Sequence, residues 1–195
     1  MIAAMSFGGG VNSTAMLLWL MEQSTPPSVV MFADTGGEKP TTYAHVDEVA
    51  DLCAKAGLPF VTVSNGNERN GATLEENCLR RKELPSLAYG FKGCSVKWKR
   101  QPMDRWLRQW QPAVDAWARG EKVTRYIGID AGEPNRAKLP PDARFVYRYP
   151  LVEHGLDRDG CMEIIRRHGL AVPAKSSCFF CPAMRKSEIV ELGKQ

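Results

Sequence analysis

The residues of this 195-residue chain best equipped for chemistry are its cysteines, three consecutive glycines and a scatter of basic side chains. Cys178 and Cys181 stand as Cys-x-x-Cys in the stretch SSCFFCP, a spacing that lets two thiolates reach one metal from a tight turn. The same spacing also serves a dithiol redox pair. Cys94 follows Gly93 in a basic, loop-like stretch, and Cys161 opens a helical pattern after DRDG. Three or four thiolates on one centre fit either tetrahedral zinc or an iron-sulfur cluster, and spacing does not choose between them. Cys53 falls on the apolar stripe of a helical pattern and reads as core, while Cys78 in EENCLRR reads as structural or as a further ligand.

The glycines lie in SFGGGVNSTAML, from Ser6 to Leu17. Gly8, Gly9 and Gly10 let main-chain amides approach an anion, and the helical pattern that follows adds the positive end of its dipole. Ser13 and Thr14 can cap that helix or donate to phosphate oxygens. A phosphate loop of the G-x-x-x-x-G-K-[ST] kind needs a lysine where Asn12 stands before Ser13, so transfer of a terminal phosphoryl group is disfavoured. Asp34 ends the second apolar run, placed either to meet a ribose hydroxyl or Mg²⁺ or to serve as a turn residue. Arg136, with Glu133 nearby to orient it, has a fork suited to phosphate or sulfate; the alternative is a surface arginine.

The elements that must position these residues alternate. IAAMSF and SVVMFADT are short apolar runs with a helical pattern between them, and LPFVTVSN supplies a third strand after a second helix stopped by Gly57. KVTRYIGI and RFVYRYPL read as further strands. TLEENCLRRKEL, MDRWLRQWQPAVDAWARG and DRDGCMEIIRRHGL read as helical pieces, and the second cysteine stretch as a tight turn before a last helix. Such alternation predicts a three-layer α/β/α fold with a mainly parallel sheet and ligands at the carboxyl ends of its strands. One domain, 1–195, is expected, with 154–195 a small cysteine-bearing C-terminal segment. The turn-rich GNERNGA marks the loosest part of the order.

Hydrophobic residues make up 44% of the chain and charged residues 25%, enough for one substantial core. A formal net charge of +4 supports a polyanionic partner only weakly. No stretch approaches the roughly 18 apolar residues of a membrane span, and the N-terminus has no basic leader of the secretory kind. A cytoplasmic protein with no membrane partner is expected, its thiols free for metal, redox chemistry or burial. Lys97, Lys99 and Arg100 around Trp98, then Arg105 and Arg108 among Trp106 and Trp110, could track a nucleic acid. A helix with buried tryptophans and a solvated basic face is the favoured reading. His45, His154 and His168 have no metal-ligand spacing and read as surface or capping residues.

Taken in order, four stretches resemble one family. SFGGGVNS resembles the S-G-G-x-D-S pyrophosphate loop (PP-loop) of the adenine nucleotide α-hydrolase, or ATP pyrophosphatase, superfamily, with Asn12 in place of the usual Asp. FADTGGEKPTTY is similar to the D-T-G-x-x-x-P-E-T-Y stretch of its phosphoadenosine phosphosulfate (PAPS) reductase branch. CSVKWKRQP is similar to C-x-x-[RK]-K-x-x-P with one extra residue, so Lys97 fits by distance from Cys94 and Lys99 by distance from Pro102. GIDAGEPNRA resembles G-I-R-x-x-E-x-x-R, keeping Gly128, Glu133 and Arg136 but with Asp130 where Arg is usual.

The resemblance implies a HUP-type fold and an enzyme that binds ATP or a related adenine nucleotide, with Mg²⁺ a further candidate. The pocket would be Ser6, Gly8, Gly9, Gly10, Asn12, Ser13, Thr14, Asp34, Thr35, Gly36, Gly128 and Glu133, with Asp34, Lys97 and Arg136 in catalytic positions. It also implies a [4Fe-4S] cluster on Cys94, Cys178 and Cys181 with Cys161 as the fourth ligand, zinc being the alternative. The chemistry implied is adenylation-dependent sulfur transfer to a nucleic-acid or small-molecule acceptor. The alternatives are reduction of a phosphosulfate to sulfite and a nucleotide-binding zinc module. The reductases carry a nucleophilic cysteine in an E-C-G-L-H-like tail, and no such motif precedes Gln195. A homodimer is a further expectation.

Overall fold

The apolar runs pair into one sheet. In a computed structural model that describes residues 1–66, 72–86 and 92–193, β1 (Ala3–Phe7), β2 (Val29–Asp34), β3 (Phe60–Ser64), β4 (Val123–Ile127) and β5 (Phe145–Arg148) lie in the order β3-β2-β1-β4-β5. All four pairings are parallel, with Ser6 of β1 opposite Met31 of β2 and Ile127 of β4. The chain builds outward from β1 on one side and then returns to build on the other. The switch therefore falls between β1 and β4, where a crevice opens at the carboxyl ends. The loop after β1 is at that crevice.

Side chains alternate across the sheet, which is why its central strands are apolar throughout. Met5, Phe7, Val30 and Phe32 face one layer, made by α1 (Val11–Glu22), α2 (Pro40–Lys55) and α7 (Arg158–Arg167). Ala4, Val29, Met31 and Ala33 face the other, made by α4 (Gln101–Leu107) and α5 (Gln111–Ala118) through Met103, Leu107, Ala113 and Ala116. These are the three layers expected. α3 (Leu74–Arg81), the short α6 (Pro150–Glu153) and α8 (Lys186–Leu192) complete the helices described.

Local chemistry explains the ends. Pro40 opens α2, its fixed φ suited to a first helical position. Thr73 caps α3 by accepting from the Glu76 amide at 3.0 Å, and Asp157 caps α7 from Gly160 at 2.9 Å. Between α3 and α4 the basic stretch forms a π-helical turn, Ser95–Arg100, that runs straight into α4; such turns gather at functional sites. Trp98 is only 2% exposed, and Trp106 stacks on Trp110 at 5.6 Å, as expected of a helical layer whose basic side chains stay wetter. The stretch 67–71 within GNERNGA lies outside the described residues.

Two expectations are corrected by burial. Cys161 is 0% exposed, packed with Ile164 and Ile165 in the core under α1, and burial pushes its thiol up to about 11. It is a core residue of α7, shut off from solvent. His45 is also buried, its Nε2 2.8 Å from the Thr14 hydroxyl and its Nδ1 3.2 Å from Glu48. It braces the glycine loop from behind. Cys53, expected in the core, is there, and His168 ends α7, where it meets Glu22 at 2.8 Å.

Candidate functional site

The glycine loop is shaped by its own backbone. Gly9 has φ +68°, and a Cβ there would meet Thr42 at 2.8 Å, so only glycine lets the chain turn this close to α2. Ser13 and Thr14 both donate to the Gly10 carbonyl at 3.0 Å, and the Gly10 amide donates to the Ser13 hydroxyl at 3.3 Å. This closes the first turn of α1 and directs its N-terminus at the crevice.

That crevice is a cavity of about 530 Å³, within the size range of small-molecule sites. Of the residues expected in the nucleotide pocket, Ser6, Gly8, Gly10, Asn12, Ser13 and Gly128 line it, while Gly9, Thr14, Asp34, Thr35, Gly36 and Glu133 are not among its lining residues. Arg136 lines it too, paired with Glu133. The remaining charges on its wall come from Lys92, Lys99 and Arg100 before α4, Arg125 on β4, Arg158 on α7 and Lys175. Among the described residues no carboxylate lines it. A cavity walled by cations at a helix N-terminus suits a polyphosphate or phosphosulfate.

Several wall residues are held in ways the sequence did not disclose. Arg125, 3% exposed, reaches Asp104 at 2.5 Å and the Ser6 hydroxyl at 3.1 Å, with its Nε left without a partner. Asn12 is fixed at both ends of its amide: Nδ2 donates to Asp130 at 2.8 Å, and Oδ1 accepts from Arg158 at 3.1 Å. Asp130, buried, also takes the Gly132 amide at 2.9 Å. Thus two of the positions that depart from the family pattern, Asn12 and Asp130, are bonded to each other.

The second loop, after β2, holds the acidic side. Asp34 accepts from the Gly36 amide and from the Tyr43 hydroxyl, both at 2.7 Å; burial first, and Asp34 second, push the Tyr43 hydroxyl well above its usual range. Gly36 packs against Thr73. Thr35 and Glu38 point inward, and Thr35 donates to Glu38 at 3.2 Å. Lys99 bonds Glu38 at 2.7 Å, so this lysine takes the place on the cavity wall that was expected of Lys97. Lys97 instead lies over the Trp98 ring and lines a neighbouring cavity with Cys94 and Cys78.

The C-terminal cysteine turn closes over both loops. Ser176 sits against Gly10, where a Cβ would meet its hydroxyl at 2.7 Å, and Phe180 sits against Gly37 at 2.5 Å from such a Cβ. Glu38 and Cys178 form an antiparallel bridge, and the Phe179 amide donates to Gly37 at 2.9 Å. Cys178 Sγ lies 3.3 Å from the Thr35 hydroxyl and 3.9 Å from Glu38 Oε1. Burial, with Glu38 adding to it, pushes the Cys178 thiol up to about 11. Cys181 follows one turn on, its amide bonded to the Cys178 carbonyl at 3.0 Å.

The cysteines do not form a cluster cradle as they stand. Cys178 and Cys181 share one turn, Cys94 lines a different cavity beside Cys78, and Cys161 is in the core. Among the described residues no three His, Cys, Asp or Glu side chains converge closely enough to hold a metal ion.

An all-parallel α/β sheet with a glycine loop and a cationic crevice at its switch point defines an adenine nucleotide α-hydrolase-like protein. The model of the phosphoadenosine phosphosulfate reductase domain matches residues 2–125, and the chain belongs to that family. It is 31% identical to the "Uncharacterized nin region protein ORF290" of Escherichia phage lambda, over 75% of this chain and 54% of that protein. The chain therefore spans about half the length of this curated relative. In fold it is similar to the U34-tRNA thiolase NcsA from Methanococcus maripaludis, solved with its [4Fe-4S] cluster. The TM-score is 0.56 at 16% identity, covering 100% of this chain and 64% of that one. Among the described residues no helix is long and apolar enough to cross a membrane.

Proposed function

We propose that the chain binds ATP or a related adenine nucleotide in the cationic crevice and handles sulfur by adenylation-dependent transfer to a nucleic-acid or small-molecule acceptor. The observation that carries this reading is the crevice itself, whose described charged wall residues are all cations and whose floor is the glycine loop. Gly8 to Gly10 and the start of α1 would receive the phosphates, with Lys99, Arg125 and Arg136 stabilising charge as it develops on a departing pyrophosphate. Asp34, held by Gly36 and Tyr43, would face a ribose hydroxyl or Mg²⁺.

In the adenylation step an acceptor oxygen bonds to the α-phosphorus and the bond to pyrophosphate breaks. A sulfur nucleophile then takes the activated carbon and AMP leaves. The family model and the thiolase neighbour support sulfur as the nucleophile. The neighbour's cluster supports iron at the cysteines, although the arrangement of Cys94, Cys178 and Cys181 in this conformation supplies no cradle for it. Reduction of a phosphosulfate in the same crevice is the second reading, favoured by the matched domain.

Calorimetric titration with ATP, AMP and adenosine phosphosulfate tests the crevice directly. Binding that weakens steeply with salt and with Arg136→Ala is the expected outcome, and no binding of any of the three sinks the reading. Release of pyrophosphate from ATP would select transfer, whereas sulfite from a phosphosulfate would select reduction. Anaerobic purification with iron, sulfide and zinc analysis identifies the metal.

A further inference from the structure

We infer that Arg158, aimed by a relay from the buried Asp130 through Asn12, is the residue that holds the pyrophosphate end of a nucleoside triphosphate. This rests on the reading of the crevice as a nucleotide site, and it adds the cation that tells a long phosphate chain from a short one.

The cations of the crevice wall are not alike. Lys99, Arg125, Arg136 and Lys175 each meet a carboxylate, so much of their charge is already answered. Lys92, Arg100 and Arg158 line the same cavity and form no ion pair among the described residues. Of these three, Arg158 is the one that a side-chain hydrogen bond aims among the described residues, and its partner is neutral: the Asn12 amide oxygen, at 3.1 Å. Arg158 is the first residue of α7 and Asn12 the second of α1. The guanidinium is therefore held at the positive ends of two helices, the wrong sign for their dipoles until an anion arrives.

A short loop keeps it there. Gly128 lies on the first turn of α1, where a Cβ would meet the Asn12 carbonyl carbon at 3.1 Å. The Ala131 amide donates to the Leu156 carbonyl, just before α7, at 2.8 Å. The loop that ties both helix starts also carries Asp130, 5% exposed, which accepts from Asn12 Nδ2 at 2.8 Å and from the Gly132 amide at 2.9 Å. With a carboxylate on one side and a guanidinium on the other, the amide has one orientation, because a flip would set its oxygen against the carboxylate and its N–H against the cation. Asn12 thus directs Arg158 without consuming its charge, as an aspartate there would. One donor of the guanidinium is spent on Asn12, and the others form a fork suited to phosphate oxygens.

Exposure assigns the part of the ligand. Arg125 is buried at 3% exposure, while Arg158 is exposed. In adenylation the bond from the α-phosphorus to pyrophosphate breaks, and pyrophosphate departs to solvent while the adenylate stays. The exposed cation beside the first turn of α1 is matched to the group that departs, and the buried one to the group that stays.

Calorimetric titration of the full chain with ATP, inorganic pyrophosphate, AMP and adenosine phosphosulfate, without divalent cations, tests the assignment. Arg158→Met should weaken ATP and pyrophosphate about ten- to a hundredfold and leave AMP within about twofold. Removing a cation from the start of α7 does not oppose that helix, and circular dichroism checks that the variant folds. Asn12→Ala should weaken ATP in the unaltered chain and have no further effect beside Arg158→Met, because it acts through that arginine. Equal losses for ATP and AMP, or no loss for either, overturn the assignment of Arg158. Additive losses in the double variant overturn the relay. Binding of adenosine phosphosulfate with none of ATP or pyrophosphate overturns the pyrophosphate assignment while keeping the crevice as a nucleotide site, and binding of none of the four to the unaltered chain overturns both.

Discussion

The glycine-loop crevice and the cysteine turn are built by opposite means. The floor of the crevice is made within the first residues after β1: Gly9 turns the chain, Ser13 and Thr14 tie the first helical turn, and α1 supplies the dipole. The cysteine turn has little local structure of its own and borrows its position from residues 35–38, about 140 places earlier in the chain. A loop tied within its own first helical turn carries much of its form locally. A turn held by one buried acid and one bridge depends on that acid. Lys99 links the two, lining the crevice and bonding Glu38.

The largest effect should come from Gly9→Val. A side chain at φ +68° and 2.8 Å from Thr42 costs about 3 kcal/mol or more. Nucleotide binding should vanish in calorimetry while metal uptake at Cys178 persists, and loss of both would erase the distinction between the two regions. Lys99→Met should follow closely, at about 3 kcal/mol in denaturant unfolding, because it leaves Glu38 buried and unpaired. The double variant Lys99→Met with Glu38→Gln should recover most of that loss; if it recovers none, the pair is not what links crevice and turn.

Asn12→Asp sharpens the crevice side. It sets a carboxylate against Asp130, where the amide now donates at 2.8 Å, and should weaken nucleotide binding about tenfold, equivalent to ~1.4 kcal/mol. Adding Asp130→Asn should restore it, and additive losses in the double variant would deny the coupling. The smallest effect belongs to the layer beneath both regions. Hydrogen bonding to Arg167 holds the Glu22 carboxyl below its usual 4.5. Because the folded value is the lower one, this support is full above about pH 4.5 and is lost as pH falls through the folded value. Glu22→Gln should cost less than about 1 kcal/mol at neutral pH, as exposed pairs do, and should flatten that part of the pH–stability curve.

Much of the crevice was legible. Glycines before a helical pattern and after an apolar run are a local signal, and parallel alternation fixes where ligands meet the sheet. The resemblance added Gly128 and Arg136 at the same place, and the structure puts both on the cavity wall. Lys97 and Lys99 could not be separated by counting, because a π-helical turn changes which of the two faces the crevice. Arg125, Arg158 and Lys175 gave no signal, since isolated basic residues on a strand, a helix and a coil resemble any solvated charge. Cys161 looked like a ligand by residue type and became core by packing.

What the sequence by itself determined is what short-range rules can carry: strand and helix order, the caps, the conformation of the glycine loop and a pair of thiols able to share one turn. Only the tertiary structure decided which charges face inward. Nothing local in GGEKP marks Glu38 out, and it is a buried acid because β2, the π-helical turn and the cysteine segment meet around it. Burial is a property of what packs from elsewhere in the chain, and the cost of burying a charge is set by the partners that arrive with it.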